Sequence, residues 1–259
     1  MTVLRSLSVA VAAALATFAV MVSPQPAIAA AIVWGTPQNI VGDTDVSTDG
    51  TLFASANFAS STVTVNGVVF NAFPITNGGT SASSGNIAVT GSSFTVSTVS
   101  DSGGAFAALT TAYKTLLSPA LTQTGPGNQL SFTLSNLTVG STYTIQYWVN
   151  DSRNNGFGRT TNVGTQNLQV NVPDTLGGLG QYVSGTFVAD ASSQSFTASV
   201  GPNAPGGFGG NFTYANAMQV RVEVVPEPTT IAMLIGAGVG LPVWRLRRSK
   251  RSIGRAAAA

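Results

Sequence analysis

Thr62-Val63-Thr64-Val65-Asn66-Gly67-Val68-Val69-Phe70 is the stretch whose reading decides the fold. Thr62 and Thr64 alternate with Val63 and Val65 at period two, the pattern of a strand with one buried face. Asn66-Gly67 then supplies two residues that accept positive φ, which a two-residue hairpin turn requires. The stretch predicts a β-hairpin. Similar apolar alternation recurs outward from it, at 86–90, 94–99, 130–134, 143–149, 167–172, 182–188, 195–200 and 219–224. Gly, Ser and Asn turns separate these segments, and Ser, Thr, Gly, Asn and Val outweigh Lys, Glu and Leu, which favours strands over helices. Short strands at this spacing predict an all-β fold, an antiparallel β-sandwich. One segment departs from it: Phe106, Leu109, Tyr113, Leu116 and Leu117 stand near helical spacing, and Pro119 follows as a stop. The spacing predicts one short amphipathic helix over 104–117. Leu137-Thr138-Val139-Gly140-Ser141-Thr142-Tyr143 reads as a sandwich corner in which the Tyr143 hydroxyl bonds back to the backbone.

The two ends of the chain follow other rules. Residues 1–29 hold Arg5, an apolar run from Leu7 to Val22 and the small-residue site Ala27-Ile28-Ala29, the layout of a secretory signal peptide. Residues 225–259 begin Val225-Pro226-Glu227-Pro228, continue as an apolar run from Thr229 to Trp244, and finish with Arg245, Arg247, Arg248, Lys250, Arg251 and Arg255. A helix that spans the membrane wants ~20 apolar residues, so this run is short for a permanent anchor. The basic cluster behind it favours a cytoplasmic C-terminus. Pro-Glu-Pro, a short apolar helix and an Arg cluster, in that order, resemble the PEP-CTERM sorting signal. The resemblance covers roughly 225–251 and is carried by Pro226, Glu227, Pro228, Arg245, Arg247 and Arg248. It implies passage through the inner membrane, processing by signal peptidase and exosortase, and delivery to the cell surface or an extracellular polysaccharide matrix. A plain C-terminal anchor is the other reading of the same segment. Trp34, the segments at 45–52, 66–70 and 113–117, and Leu137-Thr138-Val139-Gly140 resemble, more loosely, the galactose-binding-like jelly-roll domains of planctomycete-type PEP-CTERM proteins.

The body between these signals, residues 30–224, has the length of one domain with a real core. The whole chain carries a formal charge of +2. The body holds Lys114, Arg153, Arg159 and Arg221 against seven Asp and Glu223, which is about −4. Its charge therefore points to no nucleic-acid partner. The chain has no cysteine and no histidine. That excludes disulfides, thiol chemistry and a Ser-His-Asp arrangement, and removes the commonest general base and transition-metal ligand.

Two polar stretches are candidate sites. Asp43-Thr44-Asp45-Val46-Ser47-Thr48-Asp49-Gly50 is dense in hard oxygen ligands. With Asp45 as its first position it follows the first half of an EF-hand loop, but Ala56 stands where the closing Glu belongs. Asp43, Asp45 and Asp49 read either as ligands of a structural calcium or as an acidic turn. Asp151-Ser152-Arg153-Asn154-Asn155-Gly156-Phe157-Gly158-Arg159 is a polar loop just after the strand at 143–149. Trp148, with Tyr147 and Phe157, would stack a sugar and Asp151, Arg153 and Asn154 would hydrogen-bond it; the other reading is a solvated turn with Phe157 tucked onto the core. Gly206-Gly207-Phe208-Gly209-Gly210-Asn211-Phe212 has the same two readings. Asp151, Asp174 and Asp190 are the carboxylates a glycoside hydrolase would need to bring together. Asn136, Asn150 and Asn211 each open an Asn-x-Ser/Thr pattern. The expected role is that of an exported, non-catalytic surface or matrix protein associated with exopolysaccharide. A carbohydrate-binding module is the alternative, and an Asp-dependent hydrolase a remote one.

Overall fold

The computed structural model describes residues 30–59, 61–124, 128–153, 158–202 and 212–223. The signal segment 1–29, the sorting segment 225–259 with Pro226, Glu227, Pro228, Arg245, Arg247 and Arg248, and the loop residue Asn154 lie outside them.

The Asn66-Gly67 hairpin forms as the alternation dictates. β4 (Val63–Val65) pairs with β5 (Val68–Phe70), and Asn66 and Gly67 take φ of 47° and 75°, the backbone of a type I′ turn. The remaining strands make an antiparallel sandwich with a small third sheet. In the first large sheet the order is β1 (Val33–Trp34), β14 (Gln181–Val188), β11 (Thr142–Val149), β17 (Ala217–Val222) and β3 (Thr51–Asn57), with β2 (Gln38–Asn39) also on β14. The second runs β13 (Gln166–Gln169), β12 (Thr160–Val163), β15 (Ser193–Val200), β10 (Gln129–Ser135), β7 (Ile87–Thr90) and β6 (Ser81–Ser84). β16 (Phe212–Ala215), β9 (Pro119–Thr124) and β8 (Thr95–Thr98) form the third.

Period two sets the main core. Tyr143, Ile145, Tyr147 and Val149 of β11 and Leu130, Phe132 and Leu134 of β10 belong to one buried cluster. Phe132 stacks on Phe196 at 5.1 Å between centroids while Tyr147 meets Phe132 edge-on at 5.5 Å. Each such side chain removed from water contributes about 1.5–3 kcal/mol. The corner is also present: the Thr138 amide donates to the Tyr143 hydroxyl at 2.9 Å.

The first sheet is covered on its other face as well. Trp148, pointing away from the main core, joins a second cluster with Phe70, Val65 and Val68 of the hairpin, Tyr113, Leu116 and Leu117, and Ile40 and Val46. The helical segment differs from expectation. It is two helices, α1 (Gly104–Ala108) and α2 (Thr111–Leu117), with Leu109 extended between them at ψ 156°. The break comes from Thr110, whose hydroxyl accepts the Tyr113 amide and caps α2. Pro119 ends the helix as expected and also opens β9, a position where a strand tolerates proline.

At Asn216 the chain passes from β16 in the third sheet to β17 in the first. Its side chain accepts the Asn150 amide at 2.7 Å and donates to the carbonyls of Leu117 and Pro119 at 2.8 and 2.9 Å. One buried amide thus ties together the end of α2, the start of β9 and the end of β11. Among the described residues no helix is long and apolar enough to cross a membrane.

Candidate functional site

The outer face of the first sheet changes character along its length. On β11 the outward positions run Trp148, Gln146, Thr144, and on β17 they run Ala217, Gln219, Arg221, so the face grows polar toward one end. The loop 43–50 lies over that polar end. Ser47 donates its amide to Gln146 Oε1 at 2.9 Å, Gln146 Nε2 donates to the Asp45 carbonyl at 3.1 Å, and Gln219 Nε2 donates to the Ser47 carbonyl at 3.0 Å. Arg221 completes the contact. Nε donates to the Asp49 carbonyl, Nη2 to the carbonyls of Thr48 and Gly50 at 2.9 and 2.8 Å, and Nη1 to Gln219 Oε1 at 3.3 Å. Burial lowers the pKa of this guanidinium from the usual arginine value, and the Asp49 carboxylate opposes that shift.

The three consecutive carbonyls of Thr48, Asp49 and Gly50 are therefore turned onto an arginine. The carboxylates serve separately. Asp43 accepts the Thr110 hydroxyl at 2.7 Å, which joins it to the cap of α2. Asp45 is buried, and its Oδ2 accepts the amides of Val41 and Gly42 and the Tyr113 hydroxyl. Asp49 is exposed and accepts from the Ser47 hydroxyl at 3.4 Å. Among the described residues no three acidic side chains gather as a metal ion would need. A guanidinium contributed by a distant strand takes the carbonyl oxygens that the loop presents, and the three carboxylates have separate partners, as in the acidic-turn reading.

Trp148 also departs from the sugar-stacking role. It is fully buried, its indole N–H donates to the Tyr113 hydroxyl at 3.1 Å, and Phe70 and Tyr182 pack on its ring. An indole with no exposed surface has no face to offer a ligand. The relay Trp148 to Tyr113 to Asp45 is instead the polar core of the outer layer. Burial first, then the Asp45 charge, holds the Tyr113 pKa well above its ordinary value.

Asp151 and Arg153 do come together, at the far end of β11. The Arg153 guanidinium grips the buried Asp151 carboxylate through Nε at 3.1 Å and Nη2 at 3.3 Å, with the Arg153 side chain 48% exposed. Tyr214 donates to Asp151 Oδ2 at 3.2 Å and accepts from Arg159 Nη1 at 3.0 Å, while Arg159 lies over the Phe212 ring at 5.0 Å. Burial and the Asp151 charge push the Tyr214 hydroxyl far above its usual range. Asp151 is thus an anchor for two arginines and a tyrosine. Asp174 accepts the Gly158 amide at 3.2 Å. Asn150 is fully buried and accepts the Gly180 amide, so it offers no site for a glycan, whereas Asn136 is exposed.

The outer-face polar set was not singled out by the sequence. A period-two run of polar residues, Thr144-x-Gln146 and Gln219-x-Arg221, inside strands with apolar inward positions was the available signal. No family model, no curated protein and no solved structure matches the chain.

Proposed function

We propose that the protein is an exported, non-catalytic β-sandwich, sorted by its Pro-Glu-Pro, apolar and Arg-rich C-terminal segment to the cell surface or to an extracellular polysaccharide matrix. The observation that carries this reading is the order of Pro226-Glu227-Pro228, the apolar run and Arg245, Arg247 and Arg248 behind a secretory N-terminus. The body's geometry supports it. Ala30 and Ala31 lie along Thr142, Thr186 and Val188, and the Glu223 amide donates to the Thr142 carbonyl. Both ends of the described body therefore leave at one end of the sandwich, which puts the two expected processing points on the same side of the domain. The sequence has no histidine or cysteine, which removes Ser-His-Asp and thiol chemistry, and Asp151 is held by Arg153 and Tyr214.

The terminal peptides of the protein recovered from envelope and culture matrix test it. The expected N-terminus is near Ala30 and the expected C-terminus near Pro226. Extracellular protein that still ends at Ala259 would overturn the sorting reading.

A further inference from the structure

The polar end of the first sheet carries a pocket of about 190 Å³ between loop 43–50 and the strands. Gln146 and Arg221 form its buried floor, and Ser47, Asp49, Thr144 and Glu223 complete the lining with the Gly50 backbone. No apolar side chain lines it. Arg221 is 8% exposed, and four of its five N–H groups are used by the loop carbonyls and Gln219. One Nη1 hydrogen is left over from a side chain that lines the pocket.

We infer that this pocket binds a single neutral, hydroxyl-rich ring, one unit of a neutral polysaccharide or its monosaccharide. The inference rests on the reading that the body works among extracellular polysaccharide. The lining decides the chemical class. Asp49 and Glu223 are acceptors only, the spare Arg221 hydrogen is a donor only, and Ser47, Thr144 and Gln146 carry both functions. A hydroxyl both donates and accepts, so a polyol satisfies all three kinds of group. Two carboxylates against one guanidinium disfavour an anion such as a uronate. The same guanidinium occupies the loop carbonyls and opposes a metal cation. The volume falls below the ~300–1,000 Å³ of sites for drug-sized ligands, which limits the occupant to about one ring. The pocket lies at the opposite end of β11 from Asp151, since Thr144 and Val149 sit toward opposite ends of that strand.

Saturation-transfer NMR on the full chain tests this, with glucose, galactose, mannose, N-acetylglucosamine and glucuronate each at about 10 mM, suited to a millimolar Kd. The expected result is binding of at least one neutral sugar, with glucuronate weaker. Asp49→Asn and Glu223→Gln should each weaken that binding about tenfold, as loss of a charged hydrogen-bond acceptor implies. Arg153→Ala should leave it unchanged. Thermal midpoints equal to that of the parent chain establish that these exposed-residue variants fold. The inference is overturned by no binding of any neutral sugar, by a preference for glucuronate, or by binding that survives both pocket variants. Binding lost only in Arg153→Ala would place the sugar at the other end of the sandwich, overturning this pocket while leaving the surface-protein reading intact. Failure of that reading shows separately, in the terminal peptides.

Discussion

At the scale of single residues, the least replaceable polar groups are those that close a network from one side. Arg221 is one. Its guanidinium is the shared donor for the carbonyls of Thr48, Asp49 and Gly50. Methionine in its place keeps most of the stem but leaves those carbonyls facing the sheet without a donor. Each under-satisfied buried acceptor costs about 1–3 kcal/mol, and partial access to water reduces that. Arg221→Met is therefore expected to lower stability by about 2–4 kcal/mol in urea unfolding and to open loop 43–50 to proteolysis. An unchanged midpoint would show that the loop is held without Arg221, by Gln146 and Gln219 together with the Thr110–Asp43 and Tyr113–Asp45 bonds. Trp148→Phe is a smaller and cleaner loss. It removes the indole donor that the Tyr113 hydroxyl accepts and leaves a gap beside Phe70, for an expected cost of about 2–3 kcal/mol measured the same way.

At the scale of elements, the joint between α1 and α2 rests on Thr110. Its hydroxyl accepts the Tyr113 amide and donates to Asp43, so one side chain caps the helix and fastens loop 43–50 to it. Thr110→Ala is expected to cost about 1–2 kcal/mol, and Thr110→Ser to restore most of it, as read by thermal unfolding. A full loss in the serine variant would assign the effect to the methyl group instead of the hydroxyl. Elements of this kind mark where sequence reading stops. The Asn66-Gly67 hairpin and the Tyr143 corner were legible because their determinants lie within a few residues: two positive φ values in one, a hydroxyl five residues from its donor in the other. The helix break was not legible, because Thr110 lacks the Glu or Gln three residues on that completes a capping box. β3, Thr-Leu-Phe-Ala-Ser-Ala-Asn, carries no period-two signal because Leu52 packs toward the second core and Phe53 toward the main one, so no polar face alternates with its apolar residues. In the candidate site, the oxygen-rich loop 43–50 could be read. The group that fills it could not: Arg221 stands 171 residues beyond Gly50, and only the strand order brings them together.

At the scale of the whole molecule, both faces of the first sheet are covered, and tyrosines carry much of that burial. The chain has five tyrosines, and four of them, Tyr113, Tyr147, Tyr182 and Tyr214, have pKa values raised by burial. Neighbouring carboxylate charge adds to the shift at Tyr113, Tyr182 and Tyr214, from Asp45 for the first two and Asp151 for the third. The sign of the consequence is fixed. A tyrosine whose folded pKa exceeds its unfolded value near 10 keeps its proton in the native state after the unfolded chain has lost it. Above pH ~10 the native state then binds more protons than the unfolded one, and stability falls as pH rises, by up to ~1.4 kcal/mol per pH unit for each fully buried hydroxyl. Below pH ~10 the contribution is complete and flat. The buried hydroxyls of Tyr113, Tyr147 and Tyr214 act together, so the alkaline limb is expected to be steep. The measurement is a titration of tyrosinate absorbance followed alongside circular dichroism. Most of the tyrosinate signal should appear only as the sheet signal collapses, in one cooperative step above the ordinary tyrosine range. Smooth ionisation of Tyr113, Tyr147 and Tyr214 near pH 10, with the sheet signal unchanged, would mean that water reaches these hydroxyls and that neither core is packed as the structure has it. Tyr147→Phe separates burial from hydrogen bonding in the same experiment. It removes one titrating group and its bond to the Tyr214 carbonyl, so the alkaline limb should become shallower while stability at neutral pH drops by about 1 kcal/mol.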